Sequence, residues 1–225
     1  LALRSVRSYM GYVSGFNKKV EPMMRKLLRK EALNPQASFL ARDILADILA
    51  QQKNPDEYHE CLQGMGRIRR WHVAGPFGHL PTLDFDKTFA PETEKEPRAE
   101  YENDVRGFYE DFPEASIRPF GKHRRKGTFY GTTWIRTLLS RKVIVRIDSA
   151  DNLRLSVDGK EMFVRDGRRD WQRTDAAIVL NLKEGWHKLV VKCSSESAPS
   201  GFHLYVTDEY GKALRGAPGG NAEFK

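Results

Sequence analysis

Closely spaced cysteines are missing from this sequence. Its 225 residues contain two, Cys61 and Cys193, without the paired spacing that zinc sites use. They read as buried thiols or as a disulfide, and two cysteines do not decide the compartment. No apolar run approaches the roughly 18 residues of a spanning helix, so this stretch holds no transmembrane segment. A phosphate-cradling glycine loop, the alternating acids of an EF-hand and a β–α–β alternation are lacking too, and no cofactor is expected. Methionine is absent from the first position. The chain opens at Leu1 in a stretch already helical in pattern and is expected to be a piece of a longer protein.

What is present is basic and aromatic. Lys and Arg outnumber Asp and Glu by 38 to 30, a net +8 that favours anionic partners without dictating a fold. From Ser8 to about Gly66 the apolar residues recur at helical spacing. In "PQASFLARDILADILAQQKN", Phe39, Leu40, Ile44, Leu45, Ile48 and Leu49 form one stripe with Arg42, Asp43 and Asp47 opposite, after an Asn34 cap and Pro35. A preceding helix is expected from Pro22 with Met24, Leu27 and Leu28 inward, and a short third one in "NPDEYHECLQGMG". These helices resemble the end of a tetratricopeptide-type array, although the Trp, Leu, Gly and Tyr positions of that repeat are missing.

At Arg67 the period changes to that of strands. "IRRWHVAGPFG" is extended, with Ile68, Trp71 or His72, and Val73 alternating. Residues 80–127 read as a long insertion crossing a sandwich, anchored by Phe85, Phe89, Tyr101, Phe108, Tyr109, Phe112 and Phe120. Beyond it, six segments rich in Val, Ile, Leu and Tyr are separated by turns such as Asp158-Gly159 and Glu184-Gly185, the pattern of an antiparallel sandwich or jelly roll.

The acid-rich run Asp148–Gly167 raises the question of a metal site. Val143, Val145 and Ile147 alternate inward before it, and Leu153, Leu155 and Val157 within it. Its carboxylates therefore fall mostly at turns, where Asp and Asn bond their own backbone. "SADNLRLSVDGKEMF", "VLNLKEGWHKLVVKC" and "GFHLYVTDEYGKAL" resemble the galactose-binding-like jelly rolls and the related protective-antigen-type sugar-binding sandwiches. "WHVAGPFG" resembles the strand that opens such sandwiches after helical repeats in large bacterial proteins. The resemblance covers about Ile68 to Leu214, insertion excepted. It implies calcium held by two adjacent aspartates in some members, but Ala150 stands at the first of these positions here. Asp148 and Asp151 are left as weak calcium candidates, and no metal is expected.

Two basic–aromatic stretches remain. "RPFGKHRRKGTFYG" includes Arg124 and Arg125, and "RDGRRDWQR" sets Arg165, Arg168, Arg169 and Arg173 around Trp171. Arginines there can pair with phosphate or carboxylate while rings stack on sugars; the plain alternative is a solvated loop paired with Asp166, Asp170 and Asp175. No nucleic-acid fold signature accompanies the charge, which sets nucleic acid aside. Trp134 and Trp186 read as core or rim packing, and His187 and His203 as half-exposed strand histidines.

The sequence thus predicts an α+β chain: a helical hairpin or repeat-like annex over 1–66, an antiparallel jelly-roll β-sandwich over 67–215, and a flexible tail over 216–225. The expected role is a non-catalytic binding or interaction module of a larger, extracytoplasmic bacterial protein, taking a glycan or anionic polymer through Trp171 and its arginines. A purely structural scaffold meeting other domains or a protein partner, and an ancillary domain of a hydrolase or transglutaminase-like enzyme, are the alternatives.

Overall fold

The computed structural model describes residues 3, 6, 15–30, 33–112, 126–167, 176–196 and 201–214. Two compact units are present. The first gathers the helices up to Arg67 together with Val206–Leu214, and the second runs over Ile68–Tyr205.

In the first unit, α1 (Phe16–Leu28), α2 (Pro35–Gln51) and α3 (Pro55–Gly64) pack in succession, α2 in the middle. The repeated Asn-Pro pair starts two of them. Asn34 Oδ1 accepts from the Gln36 N–H at 2.9 Å and Asn54 Oδ1 from the Glu57 N–H at 3.4 Å, satisfying amide groups that a helix start leaves without partners. The predicted stripe of α2 is buried, but so are Ala41, Asp43 and Ala46, so α2 is enclosed on more sides than one stripe requires. Pro22 does not begin α1. That helix starts at Phe16, and Pro22 lies inside it between the buried Val20 and Met24, whose packing outweighs the hydrogen bond that proline cannot donate. Arg25 ties α1 to α3, donating to Glu57 Oε2 at 2.5 Å and to Glu21 Oε1 at 2.9 Å.

After α3 the chain passes Gly66, whose φ of 82° lies in the left-handed region. Its carbonyl accepts from the Val206 N–H at 2.7 Å. A Cβ here would stand 2.0 Å from the Val206 carbonyl oxygen.

The second unit is a β-sandwich. Its larger sheet orders β1 (Arg70–Phe77), β2 (Arg106–Asp111), β3 (Gly127–Thr137), β5 (Asn152–Val157), β6 (Lys160–Arg165) and β8 (Gly185–Ser195) as β2-β1-β3-β8-β5-β6. The smaller places β4 (Arg141–Asp148) between β7 (Ala176–Leu182) and β9 (His203–Asp208), of which His203–Tyr205 belong to this unit. The recorded strand pairs are antiparallel. Period-two alternation buries Val143, Val145 and Ile147 of β4, and Leu153, Leu155 and Val157 of β5. Trp71 takes the inward position that the sequence left open between it and His72. Its ring meets Phe202 edge-on at 5.0 Å, and its Nε1 donates to the Ile68 carbonyl at 3.1 Å. Asp158-Gly159 makes the predicted tight turn, with both residues at positive φ.

The insertion is more ordered than its composition suggests. It contains α4 (Pro81–Asp84), α5 (Ala90–Thr93), a 3₁₀ turn (Glu102–Asp104) and the edge strand β2. Phe85, Tyr101 and Phe112 anchor it as expected, whereas Phe108 and Tyr109 stay 41% and 52% exposed. Its aromatic residues join Ala74, Phe77, Tyr130 and Val190 in a second core on the outer face of the larger sheet. Among the described residues no helix is long and apolar enough to cross a membrane.

Candidate functional site

The acid-rich run folds around one guanidinium. Asp148 closes β4, the chain bends through Ser149–Asp151, and Arg165 closes β6 alongside it. Arg165 Nη1 donates to Asp148 Oδ1 at 2.9 Å, and Nη2 donates to the Ser149 carbonyl and, at 3.1 Å, to the Asp151 carbonyl. Ser195 Oγ donates to Asp151 Oδ1 at 2.8 Å, and Ser149 Oγ donates to the Gly201 carbonyl at 2.6 Å. Asp148, Ser149 and Asp151 are buried, so the acids at this bend are internal hydrogen-bonding groups. The two weak calcium candidates thus lie around Arg165, a permanently charged fork that matches carboxylate and carbonyl oxygens. Among the described residues no cluster of three or more His, Cys, Asp or Glu is arranged to hold a metal ion.

A second charged assembly sits on the outer face of the larger sheet. There Lys188, Val190, Lys192 and Ser194 of β8 register with Trp134, Thr132, Tyr130 and Thr128 of β3. Lys192 is buried. Its ammonium donates to the Lys87 carbonyl and to Glu92 Oε1 at 3.1 Å, and stands 5.5–5.8 Å from the ring centroids of Phe85, Phe89 and Tyr130. Such a cage stabilises a cation removed from water. Burial lowers the Lys192 pKa, and Glu92 opposes that shift. Tyr130 also donates to Glu92, at 2.5 Å, and desolvation with the Glu92 charge raises its pKa far above the usual phenol value. Lys188 donates to the Pro91 carbonyl at 3.1 Å and to the Glu94 carbonyl. Ser194 Oγ donates to the Pro81 carbonyl at 2.5 Å. A lysine between Val191 and Cys193 in a central strand was the sequence signal for this assembly.

Both cysteines and three buried histidines among the described residues also lie inside the units. Cys61 Sγ donates to the Arg42 carbonyl at 3.1 Å, Cys193 is buried with its thiol pKa pushed up by that burial, and the two sulfurs are not joined. His187 and His203 are buried, not half-exposed. His187 Nδ1 lies 2.7 Å from Asp158 Oδ2 and Nε2 lies 2.8 Å from the Lys183 carbonyl. His72 Nε2 lies 3.0 Å from the Arg98 carbonyl, and burial lowers its pKa. Trp134 and Trp186 are half-buried.

Of the proposed ligand residues, Arg165 is the one described, and it faces inward to Asp148. Arg124, Arg125, Arg168, Arg169, Trp171 and Arg173 lie outside the described residues, as do Phe120 and the tail. The stretch from Asp166 to Asp175 connects β6, an edge of the larger sheet, to β7, an edge of the smaller one.

Together the two units define an α+β chain with a helical annex and an antiparallel β-sandwich. No family model and no curated protein matches it. Among solved structures the chain is similar to a β-glucosidase from Kluyveromyces marxianus, at 9% identity and TM-score 0.41 over 64% of this chain and 18% of that one. An anti-sigma factor domain-containing protein is similar at 11% identity and TM-score 0.42, over 65% of this chain and 45% of that one. The PA14 domain of the MpAFP antifreeze protein is similar at 11% identity and TM-score 0.32, over 38% of this chain and 45% of that one. The chain spans less than half the length of each of these proteins.

Proposed function

We propose that this chain is a non-catalytic binding module of a larger protein, of the galactose-binding-like jelly-roll type, and that it takes a glycan or anionic polymer on the segment Arg168–Arg173, with Trp171 as the stacking platform. The observation that supports it most is how the charged and reactive groups are spent. The Cys61 thiol and the His72 and His187 imidazoles bond inward, while Arg165 fastens the strand end from which the basic segment departs. A rigid strand end carrying an arginine-rich, Trp-bearing connection suits recognition more than covalent chemistry.

The test is binding of an anionic polysaccharide such as heparin or polygalacturonate, followed by calorimetry, for the wild type and Trp171→Ala. Binding that falls at least about tenfold in the variant supports the site, in line with the loss of one stacking contact. Undiminished binding removes Trp171 from it. A second reading, a scaffold that positions neighbouring domains, is favoured by the insertion covering the outer face of the larger sheet. It predicts no affinity for any glycan and co-purification with a protein partner.

A further inference from the structure

Residues 138–140 carry the chain from β3 in the larger sheet to β4 in the smaller, and residues 183–184 carry it back from β7 to β8. These two corners are fastened to each other. Thr137 Oγ1 donates to the Lys183 carbonyl, and the Glu184 N–H donates to Ser140 Oγ at 3.3 Å. On this base Leu138 and Leu139 stand in solvent, 67% and 59% exposed. The turn has no need of them, since turns are built from Gly, Pro, Asn, Asp and Ser. Exposed Arg136 and Lys183 lie beside them, one just before the leucines in the chain and the other in the corner fastened to theirs, with Arg141 and Lys142 following in β4 and Glu184 as the carboxylate of these two turns. Half-buried Trp186 is paired in register with Arg136, whose guanidinium lies 5.8 Å from its ring centroid.

We propose that this corner docks on the surface of an anionic lipid bilayer, Leu138 and Leu139 entering the interfacial layer and the basic residues meeting the head groups. Two leucines are too little for the apolar centre of a protein interface of ordinary size. Shallow apolar insertion joined to a basic rim is, by contrast, the pair of signals that peripheral membrane attachment uses. Trp186 adds an amphipathic ring of the kind that settles at head-group level. The fastened corners hold this arrangement ready before contact, which lowers the ordering needed on binding.

The test is sedimentation of the 225-residue chain with vesicles of phosphatidylcholine alone and of phosphatidylcholine containing phosphatidylglycerol. The wild type is expected to sediment with the anionic vesicles and to be released by salt. Leu138→Ser with Leu139→Ser should lower the partition coefficient at least about tenfold at an unchanged thermal midpoint, as expected for two exposed side chains. Arg136→Glu with Lys183→Glu should lower it at least about fivefold per charge. Failure of the wild type to bind anionic vesicles, equal binding to neutral ones, or wild-type binding by the folded leucine variant overturns the proposal; in the last case attachment belongs to a different basic stretch.

Discussion

The guanidinium of Arg165 donates to the buried Asp148 carboxylate at 2.9 Å, joining the last residue of β6 in one sheet to the last residue of β4 in the other. Its second nitrogen fills the oxygen-lined bend at Ser149–Asp151. Removing one member of such a pair leaves the other charge buried without compensation. Arg165→Ala should therefore lower stability by about 3 kcal/mol in urea unfolding. Arg165→Lys should recover less than half of that, because an ammonium cannot make the two-pronged contact. With the guanidinium in place, added calcium should leave the thermal midpoint of the wild type where it is; a rise would contradict this assignment.

Lys192 and Glu92 should behave as a coupled pair. Lys192→Met and Glu92→Gln are each expected to destabilise by about 3 kcal/mol. The double variant should lose less than the sum, with a coupling of at least about 1 kcal/mol in a double-mutant cycle. Strict additivity would show that the 3.1 Å contact contributes nothing of its own.

Acid should weaken the fold through His72. Burial lowers its pKa from the ordinary 6.5, so below about pH 6.5 the unfolded chain takes up a proton that the folded chain refuses. The stability it supports is complete above that value and declines as pH falls toward the depressed folded pKa. Urea midpoints at about pH 7.5 and about pH 5 should differ less in His72→Phe than in the wild type; an equal difference would exclude His72 as a source.

Gly66→Ala tests a close approach of backbone to backbone. Its Cβ would fall 2.0 Å from the Val206 oxygen at a φ of 82°, so neither strand nor residue has room to yield. The loss should exceed the roughly 1 kcal/mol of an ordinary left-handed Gly→Ala change. Circular dichroism melting measures it directly.

Local patterns carried most of the architecture. The alternation of Val143, Val145 and Ile147, the turn at Asp158-Gly159 and the caps at Asn34 and Asn54 each follow from neighbours within a few residues. What escaped were partnerships across long separations in sequence. Asp148 and Asp151 carried the local signature of turn acids, and it takes Arg165, 17 residues from Asp148, to make them a buried network. β2 was hidden for a different reason: exposed on nearly all positions, it lacks the apolar alternation that marks half-buried strands. Pro22 misled because proline so often begins helices, and here tertiary packing of Val20 and Met24 carries the helix past it. The candidate ligand segment was legible as composition, since Arg168, Arg169, Trp171 and Arg173 are neighbours in the chain itself.

The lysines of β8 grip the main-chain oxygens of Lys87, Pro91 and Glu94, so the broad flank of the larger sheet wears a coat cut from its own chain. Over β3 and β8 a visitor arriving from that side meets helix ends and bends before it meets strands. On the binding role proposed above, recognition falls to the margins of the sandwich, where short sequence changes can alter what is greeted without disturbing the layers beneath.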